Sequence, residues 1–286
     1  MAATVMIDGS LVPPERAVVS VFDRGFLYGD SVFESLRTYG GKPFDLDLHL
    51  ARLERSARRV LIPLPVDVQA LEREVLQAIA AHARPECYVR LTVTRGIGRA
   101  LGLDPELADT PLRVIQVAEL TLPSRELYEQ GIRAISYRSE RASDPAAVAD
   151  AKIGNYLLAV LAMHAARAAG AQEALIEAPS GEVLEGATSN LFAVFRGILR
   201  TPPESSAILP GITRAHVIEL ARTRGLPLEL RALPKAELRC ADEVFVCSSI
   251  RELVPVVNID GQPVGTGVPG PVTRELLAMY RAARGS

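Results

Sequence analysis

The stretch SVFESLRTYGGKPFDLDLHLARLERSARR, residues 31–59, contains the change of hydrophobic period that decides the fold. Val32, Glu34 and Leu36 alternate along its first part, and this period of two predicts a β-strand that turns back at Gly40-Gly41. From residue 46 onward the spacing becomes helical. The expected apolar face of that helix comprises Leu48, Leu50, Leu53 and Ala57. A hairpin that leads directly into a helix predicts a mixed α/β domain.

The flanking sequence continues this mixture of strands and helices. Strands are predicted in TVMIDGSLV, CYVRLTVTRG, VIQVAEL, IRAISY, EALIEAPSGEVLEGATSNLFAVFRGILRTP, DEVFVCSS and VPVVNIDGQPVG. Helices are predicted in VDVQALEREVLQAIAAHA, GITRAHVIELARTRG and PVTRELLAMYRAA. The segment TLPSRE has the proline and polar residues that are typical of a linker. We therefore predict an N-terminal domain over residues 1–119, a linker over 120–126 and a C-terminal domain over 127–286.

Composition excludes several classes of protein. A net charge of −2 provides no general basic surface for nucleic acid or for an anionic membrane. The three cysteines are too few and too scattered for a disulfide framework or a zinc cluster, and no metal site is predicted. The start MAATVMIDGSLVPPERA does not have the form of a secretory signal, and the longest apolar run is too short to span a bilayer. A cytoplasmic protein is expected.

Lysine is rare in this chain and one lysine stands out. Of the 32 lysine and arginine residues, only three are lysines, namely Lys42, Lys152 and Lys235. Lys42 and Lys235 follow turn-like sequence and are expected to be exposed, whereas Lys152 opens the apolar run AKIGNYLLAVLAMHAARAAG, which predicts a mostly buried helix. A desolvated lysine can lose its proton and form a Schiff base, which arginine cannot do. The alternative is a lysine whose stem lies along an apolar surface with its ammonium in water.

Other residues supply what one cofactor requires. Glu185 could hold a pyridine nitrogen protonated, and Arg52 could clamp a phosphate, although either could equally be a solvated charge. A helix that starts after Gly211 would present the N–H groups of Ile212 and Thr213 to an anion. Ser248 and Ser249 add donors at the end of a strand. An amine, a carboxylate and phosphate donors together indicate pyridoxal 5′-phosphate.

The sequence also resembles the fold-type IV, or class IV, pyridoxal-phosphate enzymes over nearly its whole length. These include branched-chain and D-amino-acid aminotransferases, R-selective amine transaminases and 4-amino-4-deoxychorismate lyases. The strings that carry the resemblance, in order, are DRGFLYGDSVFESLRTYGGKPFDLDLHLARL, YVRLTVTRG, AKIGNYL, EVLEGATSNLF, LPGITR and DEVFVCSSIRELVPV. The resemblance implies a small N-terminal α/β domain, a larger C-terminal domain, the cofactor in the cleft between them, and a homodimer.

The resemblance also implies roles for individual residues. Lys152 matches the Schiff-base lysine, Glu185 the acid at the pyridine nitrogen, and Tyr156 the tyrosine near the phenolic oxygen. The residues that match the phosphate cup are Arg52, Ile212, Thr213 and Ser249, with Leu209 packed against the ring. The residues that match the substrate pocket are Tyr28, Phe33, Tyr88 and Arg90. Arg37, Arg90 and Arg95 are candidates to receive a substrate carboxylate, and surface exposure is an equal alternative for Arg95.

The motifs divide over which member of the family this is. The spacing in AKIGNY and the string GATSN are similar to D-amino-acid aminotransferases and lyases, whereas Tyr88-Val89-Arg90 is similar to branched-chain enzymes. We expect an aminotransferase that works on D-amino acids or branched-chain amino acids by a ping-pong mechanism, with 2-oxoglutarate or pyruvate as acceptor. The alternatives are a 4-amino-4-deoxychorismate lyase and an R-selective amine transaminase. A non-catalytic protein that binds vitamin B6, or a small-molecule binder without cofactor, also stays open.

Overall fold

The computed structural model describes residues 3–138 and 150–284, which form two compact units. Unit 1 contains residues 3–121 and 150–155, and unit 2 contains residues 122–138 and 156–284. The chain changes unit within the predicted linker 120–126. Lys152 belongs by its contacts to unit 1, although it follows the linker in sequence. The domain ranges given above stay a prediction.

Unit 1 is an antiparallel sheet with two long helices. Its elements are β1 (Ala3–Ile7), β2 (Ser10–Val12), α1 (Arg24–Tyr28), β3 (Ser31–Tyr39), β4 (Lys42–Pro43), α2 (Leu46–Arg59), α3 (Val68–His82), β5 (Cys87–Thr94) and β6 (Leu112–Glu119). The strand order is β2-β1-β6-β5-β3-β4. The predicted hairpin and the predicted helix within residues 31–59 are therefore both confirmed.

The core of unit 1 lies between the sheet and helices α2 and α3. Leu46, Leu50, Leu53 and Ala57 form the buried apolar face of α2. Leu48 is 43% exposed, so its predicted place on that face is wrong. It follows Leu46 by two residues, which places it about 200° around a helix of 3.6 residues per turn. Burial of each leucine stabilises the unit by about 1.5–3 kcal/mol relative to exposure.

Unit 2 is built on a ten-stranded mixed sheet. Its elements are α4 (Arg125–Gln130), β7 (Ile132–Arg138), α5 (Leu157–Ala168), β8 (Glu173–Glu177), β9 (Glu182–Gly186), β10 (Asn190–Phe195), β11 (Ile198–Thr201), α6 (Ile212–Arg224), β12 (Leu228–Leu230), β13 (Leu233–Pro234), α7 (Lys235–Leu238), β14 (Glu243–Ser248), β15 (Glu252–Ile259), β16 (Gln262–Pro263) and α8 (Pro271–Ala282). The strand order is β12-β11-β10-β14-β15-β7-β8-β9-β13, with β16 beside β15.

Helices α6 and α8 cover the central strands of this sheet. Phe192 of β10 and Phe245 of β14 stack with ring centroids 5.0 Å apart beneath them. Helix α6 ends at Gly225, as its sequence predicts. These packed strands and helices hold the ends of β9 and β14 and the start of α6, where predicted cofactor residues lie.

The segment that begins with Lys152 differs from its prediction in two ways. Helix α5 starts only at Leu157, and Lys152 lies in the extended segment before it. In that segment Ile153 forms a β-bridge with Val32, and a Cβ on Gly154 would collide with Ser31 Oγ. These contacts hold residues 152–154 along β3, which excludes a helix there.

Helix α5 is also not mostly buried. Only Ala162 and Ala166 of its residues are buried. Its large exposed apolar side chains are Leu157, Leu158, Val160 and Leu161. An apolar sequence alone could not separate a buried helix from one with an exposed apolar face. Among the described residues, no helix is long and apolar enough to cross a membrane.

The two other lysines behave differently from each other. Lys42 is exposed, as predicted. The prediction for Lys235 is wrong, because its side chain is 30% exposed and its Nζ lies 3.1 Å from Asp260 and 3.4 Å from Glu177. Its place at the start of α7 brings it beside β8 and the end of β15, which its local sequence did not indicate.

Candidate active site

One face of the unit 1 sheet carries five of the predicted residues. Because side chains alternate along a strand, Phe33, Ser35 and Arg37 point away from the face on which α2 and α3 pack. The cross-strand register pairs Ser35 with Arg90 and Arg37 with Tyr88. The Arg90 guanidinium lies over the Phe33 ring, 3.7 Å from its centroid, and Ser35 Oγ and Tyr88 Oη share a hydrogen bond of 3.0 Å. The structure therefore brings together Phe33, Arg37, Tyr88 and Arg90.

Lys152 lies on the same face. Its Nζ is 4.6 Å from the centroid of the Phe33 ring, a contact in which a ring face attracts an ammonium. The backbone fixes this position, because the Lys152 N–H donates to Ser56 Oγ on α2 and its carbonyl accepts from the Phe33 N–H. Lys152 is half-buried. The backbone that carries the amine is thus bonded to both strand β3 and helix α2.

The arginines predicted to receive carboxylates have different environments. Arg37 is buried, with Nη2 donating to Glu86 and its guanidinium over the Tyr39 ring. A substrate carboxylate at Arg37 would have to share it with Glu86. Arg90 is half-buried, and its guanidinium, a group that can bind a carboxylate through two nitrogens, lies over the Phe33 ring.

Arg95 is neither exposed nor placed to receive a substrate. Its Nε and Nη2 donate to Asp30, and its two Nη atoms donate to the carbonyls of Leu61 and Val60. Desolvation alone would raise the pKa of Asp30, but the hydrogen bonds from Arg95 and Arg24 lower it below the usual value. Surface exposure of Arg95 is a wrong prediction, and its contacts indicate a structural role.

Arg52 forms a buried cluster with two residues that the sequence analysis missed. Its Nε and Nη2 both donate to Glu34 at 2.7 Å, and His49 Nδ1 lies 2.7 Å from the same carboxylate. Burial alone would raise the pKa of Glu34, but the hydrogen bonds and charge of Arg52, with a contribution from His49, lower it to about 2. Glu34 is therefore ionised at neutral pH and fixes the plane of the Arg52 guanidinium. The sequence signal for this cluster was Glu34 itself, because a carboxylate that alternates with Val32 and Leu36 on an apolar strand face needs a buried partner.

Tyr28 ends helix α1 and lines a cavity of about 200 Å³ within unit 1. Its hydroxyl accepts a hydrogen bond from the Gly102 N–H at 3.2 Å, and the Arg24 guanidinium lies 5.2 Å from its ring centroid. The Tyr28 ring is therefore held by the loop between β5 and β6.

In unit 2, Glu185 and Leu209 are joined directly. The Leu209 N–H donates to Glu185 Oε2 at 3.2 Å, and the Leu209 carbonyl accepts from Asn190 Nδ2 at 2.9 Å. Asn190 also packs so close to Gly211 that a Cβ on Gly211 would collide with Asn190 Oδ1. Asn190 was missed by the sequence analysis, although it lies in the quoted string GATSN. It holds the chain that leads into α6 against β10.

Helix α6 begins at Ile212 with Gly211 as its N-cap, which brings no side chain to bond the first N–H groups. Ile212 and Thr213 are in the first turn, where backbone N–H groups and the positive end of the helix dipole favour an anion. Thr213 Oγ1 accepts a hydrogen bond from Tyr280 at 3.3 Å. Tyr156, the remaining predicted residue near the cofactor ring, is the N-cap of α5.

Ser248 ends β14, and Ser249 lies in the turn that leads to β15. Ser248 Oγ accepts from the Arg251 N–H at 3.3 Å. The neighbouring Cys247 is buried, and desolvation raises the pKa of its thiol to about 12, which excludes a thiolate at neutral pH. Among the described residues, no cluster of His, Cys, Asp and Glu could hold a metal ion.

Known proteins with similar sequences and structures include aminotransferases. The family model described as amino-transferase class IV matches residues 31–259. The chain belongs to the class IV aminotransferase family. This family uses pyridoxal 5′-phosphate, so the chain is a pyridoxal-phosphate-dependent aminotransferase.

The relatives include both substrate types that the sequence suggested. The D-alanine aminotransferase of Bacillus licheniformis is 34% identical over 277 residues, covering 95% of this chain and 94% of that protein. The branched-chain-amino-acid aminotransferase of Escherichia coli K12 is 34% identical over 283 residues, covering 96% and 91%. The T.th. branched-chain amino acid aminotransferase, in a crystal structure with pyridoxamine 5′-phosphate, superposes with a TM-score of 0.92 at 34% identity, covering 98% and 93%. The fold-type IV architecture is thereby confirmed.

The residues present fit this cofactor. Unit 1 offers the Lys152 amine and the Arg52 guanidinium, and unit 2 offers the Glu185 carboxylate and the uncapped start of α6. At that helix start the Gly211 backbone lies so close to Asn190 that a Cβ would have no space, which fixes the position of the first turn. An amine for attachment, an acid for the pyridine nitrogen and donors for a phosphate are the groups that the cofactor requires.

Proposed function

We propose that this aminotransferase moves an amino group between a D-amino acid or branched-chain amino acid and a 2-oxo acid by a ping-pong mechanism. Lys152 is the proposed point of covalent attachment. The observation that supports this most directly is the place of its Nζ over Phe33, on the sheet face that also carries Arg90 and Tyr88. Lys42 is exposed on β4, and Lys235 is ion-paired in unit 2.

Lys152 also serves as the proposed acid–base group. When bound, pyridoxal 5′-phosphate supplies an aldehyde carbon for attachment and a ring that accepts the electron pair from the substrate Cα. With the cofactor bound, Lys152 Nζ would be the group that takes the proton from the substrate Cα and holds it for return during the reaction. Its fixed backbone keeps the amine at one face of the bound substrate, which determines which hydrogen it removes.

The other predicted residues hold the cofactor in this proposal. Glu185 keeps the pyridine nitrogen protonated, and its bond to the Leu209 N–H holds the carboxylate in place for that contact. Leu209 would pack against the ring, and Tyr156 would lie near the phenolic oxygen. The proposed phosphate donors are Arg52, Ile212, Thr213, Ser248 and Ser249. Glu34 and His49 keep Arg52 oriented.

The proposed substrate pocket uses the face of the unit 1 sheet and the Tyr28 cavity. Phe33 offers an apolar surface, whereas Arg90 and Tyr88 offer polar groups to a carboxylate. Arg37 is the other proposed carboxylate-binding group of this pocket, and its pair with Glu86 holds its guanidinium in place. Two relatives of equal identity, one named for D-alanine and one for branched-chain amino acids, support both donor types. The proposed acceptor is 2-oxoglutarate or pyruvate.

A half-reaction screen tests this proposal. The visible band of the purified holoenzyme is followed on addition of D-alanine, L-leucine, D-glutamate, L-glutamate and (R)-1-phenylethylamine. We expect at least one α-amino acid to remove the band and a 2-oxo acid to restore it. Lys152→Ala is expected to abolish the reaction, whereas the matched variant Lys42→Ala keeps it.

Other outcomes would identify the alternatives. A band that responds to (R)-1-phenylethylamine but to no amino acid indicates an R-selective amine transaminase. Formation of 4-aminobenzoate from aminodeoxychorismate without any 2-oxo acid indicates the lyase. A protein that binds the cofactor but responds to no donor indicates a binding protein, and one that takes up no cofactor contradicts the attachment at Lys152.

The assembly and the compartment are also proposals. We propose a homodimer, which sedimentation of the holoenzyme would test. The cytoplasmic location expected from the sequence stays a prediction that cell fractionation would check.

A further inference from the structure

Glu173, the first residue of β8, is a fully buried carboxylate that the proposed mechanism does not use. Its Oε1 accepts from the N–H groups of Ala174 at 3.0 Å and Ala187 at 3.2 Å. Its Oε2 accepts from Ser189 Oγ at 3.0 Å and from Arg251 Nη2 at 2.6 Å. A buried charge is costly unless it is paired and hydrogen-bonded, and Glu173 is both.

Arg251 brings a second segment to this carboxylate. It is the last residue of the turn between β14 and β15, and its side chain is 22% exposed. Its Nη2 also donates to Thr188 Oγ1 at 3.4 Å. Within the turn, its N–H donates to Ser248 Oγ and its carbonyl accepts from Tyr128 Oη at 3.0 Å. Arg251 therefore joins the turn that contains Ser249 to residues 187–189.

Residues 187–189 connect, in turn, to the other cofactor groups of unit 2. They follow Glu185 at the end of β9 and precede Asn190, which bonds the Leu209 carbonyl. The short turn 186–189 is closed by the Gly186 N–H, which donates to the Ser189 carbonyl at 2.7 Å. Glu173 thus lies where the Ser248–Arg251 turn meets the strand end that carries Glu185.

We propose that Glu173 and Arg251 are a positioning pair for the cofactor: their ion pair sets the Ser248–Ser249 turn relative to Glu185. The proposal rests on the proposed function, because it takes Glu185 and Ser249 as cofactor ligands. Neither member of the pair touches the reacting atoms. The pair fixes the spacing between the donors at the phosphate and the acid at the pyridine nitrogen. If the Ser248–Ser249 turn shifts, the proposed phosphate donors shift with it, so the contact with the phosphate is weakened most.

The test compares binding of pyridoxal 5′-phosphate with binding of pyridoxal, which lacks the phosphate. Arg251→Met removes the charge and retains a long apolar stem, and Glu173→Gln retains the shape of the carboxyl group. Arg222→Met is the matched control, because Arg222 lies on the exposed side of α6. Cofactor is removed from each purified protein, and each ligand is titrated back by absorbance. Chemical unfolding of each protein is measured in parallel.

We expect Arg251→Met and Glu173→Gln to weaken pyridoxal 5′-phosphate binding about tenfold to a hundredfold, the usual effect of losing a hydrogen bond to a charged group. Pyridoxal binding should change less, so the ratio of the two affinities falls. The double variant should lose little more than either single variant, because the residues act as a unit. Arg222→Met should bind both ligands like the wild type.

An unchanged affinity ratio in both variants, with only a loss of folding stability, would overturn the proposal and leave the pair a structural role. If Arg251→Met does not fold, Arg251→Lys provides the same test, since it keeps the charge and loses the planar guanidinium. If the wild type binds pyridoxal 5′-phosphate and the variants bind it with the same affinity, the positioning role is contradicted and the proposed function is not. Wild-type protein that takes up none contradicts the proposed function as well.

Discussion

The Glu34–Arg52 pair of unit 1 and the Glu173–Arg251 pair of unit 2 both place an arginine on a buried carboxylate, but they satisfy it differently. Glu34 is bonded by Arg52 through two nitrogens and by His49, all from helix α2. Glu173 takes three of its four hydrogen bonds from two backbone N–H groups and a serine hydroxyl. Arg52 is 4% exposed and Arg251 22% exposed. Glu34 therefore depends on side-chain partners, above all the Arg52 guanidinium, whereas Glu173 would keep most of its hydrogen bonds without its arginine.

The largest effect is expected from Glu34→Gln. Removal of one member of a buried ion pair leaves the other charge uncompensated, which lowers the free energy of unfolding by about 3–5 kcal/mol. Urea unfolding of the variant and the wild type measures this. Glu129→Gln is the control, because its exposed pair with Arg125 is worth about 0.3–0.5 kcal/mol. A loss in Glu34→Gln no larger than in the control would refute the dependence of Glu34 on Arg52.

Acid should weaken the same cluster in the wild-type protein. The pKa of Glu34 in the folded state is about 2, below its ordinary value of 4.5, so the folded state binds fewer protons than the unfolded state. The stabilisation is therefore complete above about pH 4.5 and is lost as the pH falls toward 2. The loss is on the order of 3 kcal/mol. Urea unfolding at several pH values should show this slope in the wild type and a shallower one in Glu34→Gln.

Arg251→Met should destabilise the protein less than Glu34→Gln does. Three neutral donors remain on Glu173, so we expect a loss of about 1–3 kcal/mol in the free energy of unfolding. The same urea experiment measures it. A loss equal to that of Glu34→Gln would show that the two carboxylates depend on their arginines to the same extent, which would contradict the smaller dependence of Glu173 on Arg251.

The smallest effect should come from a neutral pair on the face of the unit 1 sheet that carries Phe33. Tyr88→Phe removes the hydrogen bond to Ser35 and leaves a half-buried hydroxyl that water can reach. The expected loss is about 0.5–1 kcal/mol in the free energy of unfolding. Ser35→Ala is the matched variant, and similar losses in both would assign the effect to their shared bond.

Local pattern was enough to predict most of the long strands and helices of both units. The period change within residues 31–59 identified β3 and α2, and glycines at 211 and 225 bounded α6. Lys152 and the start of α6 were selected as candidates because, together with Glu185 and Arg52, they supply the groups that one cofactor requires. These features depend on neighbours in sequence.

The errors at Lys152 and Arg95 depend on residues that are distant in sequence. The segment at Lys152 is extended because Ile153 and Gly154 contact β3, more than 100 residues earlier. Arg95 is buried because Asp30, Val60 and Leu61 surround its guanidinium. Glu34 on an apolar strand face indicated that a partner was needed, but only the fold showed that Arg52 and His49 provide it.

Attachment of the cofactor to Lys152 is the central claim, and the small number of lysines makes it directly measurable. The holoenzyme is reduced with borohydride, which makes an imine bond permanent, and its peptides are identified by mass spectrometry. We predict that the phosphopyridoxyl group is found on the peptide that contains Lys152 and on neither Lys42 nor Lys235. Reduced cofactor on Lys42 or Lys235, or on no lysine of a protein that has bound it, would contradict the account.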